Sequence, residues 1–173
     1  MTETQVTQIN VGEEVEKFID DTSISSSVSP EIVLIMGGVA VGKTTHRKQN
    51  YSSGYVVIDS AEVFLSLCRG GYFDFPESFE EPMEIIGQLV AGRAVSEQRN
   101  IVTEIIGSEY EPTIALIETM KGAGYKVNIV GLQCDLQESM NRNLNRGDDC
   151  ISAYYAEAYQ IRWLLEAASN ANT

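Results

Sequence analysis

The sequence predicts a three-layer α/β/α protein, in which helices cover both faces of a mostly parallel sheet of about four to five strands. Short apolar runs alternate along the chain with helix-favouring segments, and this order is typical of repeated βαβ units. The run Glu31–Met36 is apolar after its first residue and is followed by glycine. Such a run indicates a strand that is buried on both faces of a parallel sheet.

The predicted elements alternate as strand and helix from Pro30 onwards. Strands are expected at 31–36, 54–58, 100–106 and 125–132, and helices at 44–52, 60–69, 81–98, 112–123, 136–145 and 151–168. A short amphipathic helix at 11–21 and a Ser-rich connector precede them. We therefore expect an N-terminal segment, 1–29, and one domain at 30–173, since 173 residues suit a single core.

Composition excludes several classes of function. The formal net charge of −13 repels phosphate backbones, which argues against duplex nucleic acid as a partner. The single histidine, His46, leaves no material for multi-His metal sites or His-dependent triads. Three widely spaced cysteines fit a reducing compartment, and the sequence shows neither a signal peptide nor an apolar run of roughly 20 residues. We expect a cytoplasmic protein with no membrane segment.

A phosphate-binding motif lies between the first predicted strand and the following helix. The segment Gly37–Thr44 matches G-x-x-x-x-G-K-[ST] in full, which is the pattern of a P-loop. Backbone N–H groups of such a loop, with the positive end of the helix, cradle phosphate oxygens. The predicted nucleotide-binding residues are Gly37, Gly38, Val39, Ala40, Val41, Gly42, Lys43, Thr44 and Thr45. Together with the predicted three-layer α/β/α architecture, this motif predicts the fold of the P-loop NTPases.

The motif also predicts the ligands. Lys43 is expected to reach the β- and γ-phosphates of ATP or GTP, and Thr44 is expected to ligate Mg²⁺ through its hydroxyl. Asp59 follows the second predicted strand and Glu104 lies near the end of the third. Because ligands bind outside the carboxyl ends of such strands, both acids should face the P-loop. Asp59 would take the proton of an acceptor or hold Mg²⁺, although either acid could instead cap a helix or lie in solvent.

Two arginines follow the fourth predicted strand. Arg142 and Arg146 lie one helical turn apart, where they could close over the γ-phosphate as a lid and act as catalytic residues. The alternative is that they pair on the surface with Glu138, Asp148 or Asp149.

Sequence motifs at the later predicted strands distinguish between the classes of P-loop protein. No N-K-x-D segment follows a strand, which excludes most GTPase switches, and Ile101–Glu104 fits the strand acid of ATPase motors only imperfectly. A kinase of small hydroxyl substrates needs an acid after the strand that follows the P-loop, and Asp59 stands there.

Over about 30–168, the P-loop, Ile58-Asp59, Ile101–Glu104 and Arg142 with Arg146 resemble the zeta-toxin-like and small-molecule P-loop kinases. Residues 124–147 are similar to the fourth strand and arginine helix of that group. The resemblance implies a strand 2 acid as base, a P-loop lysine and lid arginines at the phosphates, and a strand 3 acid at the acceptor. In this chain those residues are Asp59, Lys43, Arg142, Arg146 and Glu104.

One position departs from the family pattern. Many members carry a second aspartate two residues after the first, where this chain has Ala61, and the nearest acid is Glu62. Metal binding or substrate choice would differ accordingly.

The sequence therefore predicts a Mg²⁺-dependent kinase that moves the γ-phosphate of ATP or GTP to a hydroxyl of a small molecule or nucleotide. Two alternatives remain open. One is a nucleotide-binding regulatory or interaction protein whose N-terminal helix engages a protein partner. The other is an NTPase that has no phosphoryl acceptor and serves a larger assembly.

Overall fold

The computed structural model describes residues 9–19, 29–68, 79–107 and 110–145. These residues form four strands and six helices: α1 Val11–Phe18, β1 Glu31–Met36, α2 Lys43–Asn50, β2 Val56–Ile58, α3 Ser60–Cys68, α4 Glu80–Ser96, β3 Ile101–Ile105, α5 Tyr110–Gly122, β4 Lys126–Gly131 and α6 Leu136–Leu144. The predicted α/β class is confirmed, and each observed element ends within about three residues of its predicted bounds. The helix predicted at 151–168 lies outside the described residues.

The sheet has the order β2-β3-β1-β4, and all three neighbouring pairs are parallel. β1 lies between β3 and β4, with Ile35 beside Glu104 on one side and Val130 on the other. β2 pairs only with β3, at the edge of the described sheet. This order puts the end of β3 directly beside the P-loop strand and places the end of β2 one strand further away.

One face of the sheet carries the larger core. Ile32 and Leu34 of β1 belong to a buried cluster that also receives side chains from α1, α3, α4 and α5. The buried helical members of this cluster are Val15, Val63, Phe64, Leu67, Met83, Ile86, Val90, Ala94 and Met120. Burial of this size supplies the main favourable term of folding.

The N-terminal helix α1 is part of this core. The side chains of Val15 in this helix and of Ile19 just after it are buried. Glu13, Glu16 and Lys17 point outwards and are exposed. Asn10 caps the helix by accepting a hydrogen bond from the backbone N–H of Glu13. The apolar face of α1 is thus turned inwards, against the helices of its own chain.

The opposite face carries a smaller core and the helix α2. Val33, Ile35 and Val102 are buried there, with Tyr51, Tyr55 and Leu132 packed against them. Helices therefore lie on both faces, as the three-layer prediction required. None of the helices in the described ranges combines the length and the apolar content that a bilayer crossing demands.

Candidate functional site

The turn between β1 and α2 is held by backbone contacts to both neighbouring strands. The N–H of Gly37 donates to the carbonyl of Ile105 (3.2 Å), and the N–H of Leu132 donates to the carbonyl of Met36 (2.8 Å). A Cβ at position 37 would lie 2.5 Å from the carbonyl oxygen of Leu132, so only glycine fits. Gly42 has φ +102, a left-handed conformation that a side chain would oppose.

The P-loop lysine is folded back across this turn. Lys43 Nζ donates to the carbonyl oxygens of Gly37 (2.9 Å) and Gly38 (2.7 Å). Helix α6 also contacts the turn, since the buried hydroxyl of Ser139 donates to the carbonyl of Val39. The turn is therefore fixed from two sides, and α2 starts at Lys43 with its N–H groups directed at the loop.

Glu104 meets the P-loop helix directly. Thr44 Oγ1 donates to Glu104 Oε2 at 2.9 Å, and Arg47 Nε donates to Glu104 Oε1 at 2.6 Å. The sheet order explains this contact, because β3 is the neighbour of β1 and its carboxyl end lies beside the start of α2. Two residues of one helix thus hold the two oxygens of one carboxylate.

Arg47 also reaches the acids that follow β2. Its NH2 group donates to Glu62 Oε1 at 2.6 Å and lies 3.6 Å from Asp59 Oδ2. The Arg47 side chain is 5% exposed, so one buried cation serves three carboxylates. Burial alone would lower the pKa of Arg47, but hydrogen bonds and charge from Glu104 and Glu62 outweigh it and raise that pKa.

Asp59 lies at the start of α3 and faces this cluster. Its Oδ1 accepts a hydrogen bond from the backbone N–H of Ala61 at 3.0 Å, in the manner of an N-cap. Burial is the main cause that raises the pKa of Asp59 above its ordinary value, and the charges of Glu104 and Glu62 add to it. The Ala61 N–H and Arg47 act in the opposite direction and offset part of the rise.

A small cavity opens beside Asp59, with a volume of about 40 Å³. Asp59 and Ser60 supply its polar wall. The other walls are apolar side chains or glycine from four elements: Phe18, Val57, Ile58, Val63, Met83, Gly87 and Val90. Helix α1 thereby contributes one wall to a space that touches the strand 2 acid.

The structure brings together most of the predicted site residues. Lys43, Thr44, Glu104 and Asp59 all belong to the P-loop turn or to the cluster around Arg47. The hydroxyl-bearing Thr45 is exposed at the start of α2.

The predicted lid arginines stand apart from this group. Arg142 is about half exposed and donates to Glu138 on its own helix, which is the surface pairing of the alternative interpretation. Arg146 lies outside the described residues.

Sequence reasoning missed Arg47. Its spacing from Lys43 was the available signal, because residues four apart lie on one face of a helix and the helix starts at the P-loop. In the described part of the chain, no group of three or more His, Cys, Asp or Glu side chains is arranged to hold a metal ion by itself.

No protein-family model and no curated protein sequence matches the chain. Solved structures do match it. The PezAT chromosomal toxin–antitoxin system of Streptococcus pneumoniae matches with a TM-score of 0.62 and 18% identity, over 83% of this chain and 62% of that one. The AvrRxo1-ORF1:AvrRxo1-ORF2 structure with sulphate ions matches with a TM-score of 0.56 and 17% identity, over 84% and 49%.

Two further structures extend this comparison. AvrRxo1-ORF1:-ORF2 with ATP matches with a TM-score of 0.55 and 17% identity, over 84% of this chain and 48% of that one. The Pnkp1/Rnl/Hen1 complex matches with a TM-score of 0.52 and 12% identity, over 68% and 41%. The present chain spans 41% to 62% of the length of these four chains. At these identities the likeness is one of fold, and the chain has a zeta-toxin-like P-loop kinase fold.

Proposed function

We propose that the protein is a Mg²⁺-dependent kinase that transfers the γ-phosphate of ATP or GTP to a hydroxyl group of a small molecule or nucleotide. One observation carries the proposal. Two carboxylates, Asp59 after β2 and Glu104 in β3, converge on the helix that follows the P-loop, through contacts with Thr44 and Arg47. A transfer reaction needs one acid for the proton of the acceptor and suits a second acid for Mg²⁺, whereas phosphate binding by itself does not need an acid for an acceptor.

The P-loop would hold the nucleotide. Backbone N–H groups of the turn from Gly37 to Thr44 would bind phosphate oxygens, and Lys43 would exchange the carbonyls of Gly37 and Gly38 for the β- and γ-phosphates. A matching structure, AvrRxo1-ORF1:-ORF2, contains ATP, which supports nucleotide binding by this fold.

The donor set beside the P-loop suits Mg²⁺. This ion is usually bound by one or two carboxylates together with phosphates and water, and Thr44 with Glu104 offers a hydroxyl and a carboxylate 2.9 Å apart. We assign the ion to these two residues. Asp59, which the sequence also offers as a metal ligand, is kept mainly for the acceptor, because it is Glu104 that accepts the hydroxyl of Thr44. Bound Mg²⁺ would neutralise charge on the transferring phosphates.

Asp59 would act as the base. The acceptor O–H would donate to a carboxylate oxygen of Asp59, and the proton would pass to Asp59 as the new O–P bond forms and the bond to the β-phosphate oxygen breaks. The raised pKa of Asp59 suits this role, because a carboxylate that binds its proton more firmly is a better acceptor. Arg142 and Arg146 would serve the phosphates after Arg142 leaves Glu138.

A protein partner is a further part of the proposal. The PezAT and AvrRxo1 structures are a toxin–antitoxin system and a two-protein complex, which supports a partner for this chain as well. The exposed charged face of α1, with Glu13, Glu16 and Lys17, is the side of the N-terminal helix that a partner would meet first.

The test follows labelled γ-phosphate from ATP and from GTP into a pool of metabolites and nucleotides. We expect a labelled acceptor with wild-type protein, and loss of transfer by roughly 10²–10⁴-fold in Asp59→Asn with nucleotide binding retained. Lys43→Ala is the control, since it should abolish nucleotide binding as well. Label recovered solely as free phosphate would favour an NTPase, and nucleotide binding with no turnover would favour a regulatory protein.

A further inference from the structure

Arg47 is a buried cation at the centre of the acidic cluster. It lies one turn beyond Lys43 on α2, and its side chain is 5% exposed. It contacts three carboxylates that come from two different segments of the chain: Glu104 at 2.6 Å, Glu62 at 2.6 Å and Asp59 at 3.6 Å.

These contacts fix the direction of Glu104. Its Oε1 is bound to Arg47 Nε, which leaves Oε2 to accept the hydroxyl of Thr44. The Glu104 side chain is 9% exposed, so its charge needs a partner in place of water. A guanidinium presents its donors in a rigid plane and so holds two acids in a set relation, whereas the donors of an ammonium rotate and fix no such relation.

The same plane sets the spacing between the two working acids. Asp59 and Glu104 stand at the ends of β2 and β3, and Arg47 contacts both, while its NH2 group donates to Glu62. Glu104 lies 2.6 Å from Arg47, whereas Asp59 lies 3.6 Å away and is anchored by the N–H of Ala61, so Glu104 depends on Arg47 more than Asp59 does.

We propose that Arg47 is a positioning residue for phosphoryl transfer, which holds Glu104 against Thr44 and sets the distance from Glu104 to Asp59. The inference rests on the proposed kinase function. Arg47 acts through the two acids and need not touch the nucleotide, so the P-loop keeps its phosphate contacts when Arg47 is replaced.

The experiment compares Arg47→Met and Arg47→Lys with a matched control, Arg93→Met. Arg93 also bridges two glutamates, Glu16 and Glu97, but it lies on α4, which packs in the core on the other face of the sheet. Each protein is measured for the Kd of ATP, for kcat and KM of label transfer, and for Tm. We expect kcat to fall roughly 10–100-fold in Arg47→Met with the Kd of ATP changed less than about threefold. Arg93→Met should keep the wild-type kcat.

Arg47→Lys covers the case in which Arg47→Met does not fold. Lysine retains the charge but lacks the rigid planar fork of donors, so it cannot hold the acids in the same fixed relation, and we expect a folded protein whose kcat is reduced and whose Kd for ATP is unchanged. A folded Arg47→Lys or Arg47→Met with the wild-type kcat overturns the inference while the kinase function stands. Equal losses of kcat and of ATP affinity also overturn it, since they indicate general damage to the fold. Wild-type protein that transfers no label overturns the kinase function, and this inference with it.

Discussion

Asp59 combines a structural contact with a position in the candidate site. Its side chain caps α3 through the N–H of Ala61, and its other oxygen faces Arg47. From the sequence, capping and catalysis are alternatives for this residue. In the structure Asp59 caps the helix and also faces the cluster around Arg47, because the helix that it caps begins where β2 ends.

The raised pKa of Asp59 predicts a cost to stability at neutral pH. Because the folded state binds this proton more tightly than the unfolded chain does, stability falls as the pH rises from the ordinary value of 3.8 through the raised pKa. Asp59→Asn keeps an oxygen for the N–H of Ala61 and removes the charge. We expect its Tm to exceed that of wild type at pH 7, and the difference to vanish as the pH falls towards 3.8.

The control for this measurement is Asp135→Asn. Asp135 caps α6 through the N–H groups of Gln137 and Glu138, but it is exposed. Loss of its charge at a helix start should leave Tm unchanged or lower at pH 7. A lower Tm for Asp59→Asn as well would show that the charge of Asp59 stabilises the fold and would contradict the prediction.

The P-loop residues could be predicted from a local motif, whereas the role of Arg47 depends on tertiary contacts and could not. Gly37, Lys43 and Thr44 followed from a motif within eight residues, since the loop uses its own backbone. Arg47 could not be assigned from its neighbours, because its partners Glu62 and Glu104 are distant in sequence and meet it only after the sheet has formed. Its spacing places it on the same face of α2 as Lys43, but that spacing does not name the acids that it binds.

At the scale of elements, α4 contains glycine at positions that do not require it. Gly92 lies in the helix interior, is exposed, and would place a Cβ in open space. Glycine is less favourable than alanine in a helix by roughly 0.5–1 kcal/mol. We therefore expect Gly92→Ala to raise Tm by about 1–4 °C in a thermal melt.

The same substitution has the opposite effect in the P-loop. In Gly37→Ala the added Cβ would meet the carbonyl of Leu132 at 2.5 Å, so the turn or β4 must shift. Gly37→Ala should lower Tm and weaken ATP binding. A stabilised Gly37→Ala, or a destabilised Gly92→Ala, would show that backbone geometry at these two positions is not what limits stability.

The ends of the elements were predictable, while the order of the strands was not. β1 and β3 appear in the sequence as apolar runs bounded by glycine or polar residues, so their bounds can be predicted from the local sequence. The order β2-β3-β1-β4 depends on which side chains fill each face, such as Leu34 with Val56 and Ile101 on one side. The strand order is therefore set by packing between distant segments and cannot be read from the local sequence. For this reason Glu104, and not Asp59, became the neighbour of Thr44.

At the scale of the whole molecule, the net charge of −13 predicts sensitivity to salt. Like charges repel in the compact state, and salt shortens the range of this repulsion from about 30 Å at 0.01 M to about 8 Å at 0.15 M. We expect Tm to rise over this range, equally in NaCl and KCl. A falling Tm would mean that surface ion pairs, such as Arg93 with Glu16, contribute more than the general repulsion.

The packing of α1 links the N-terminal segment to the candidate site. Val15 and Ile19 share the main core, and Phe18 lines the cavity that Asp59 touches. A molecule that binds the apolar face of α1 must displace α4 from that face. Its binding would therefore remove Phe18, which forms one wall of the cavity. Binding of a molecule to the apolar face of α1 and the shape of the cavity beside Asp59 are therefore thermodynamically coupled, so a change in one changes the other.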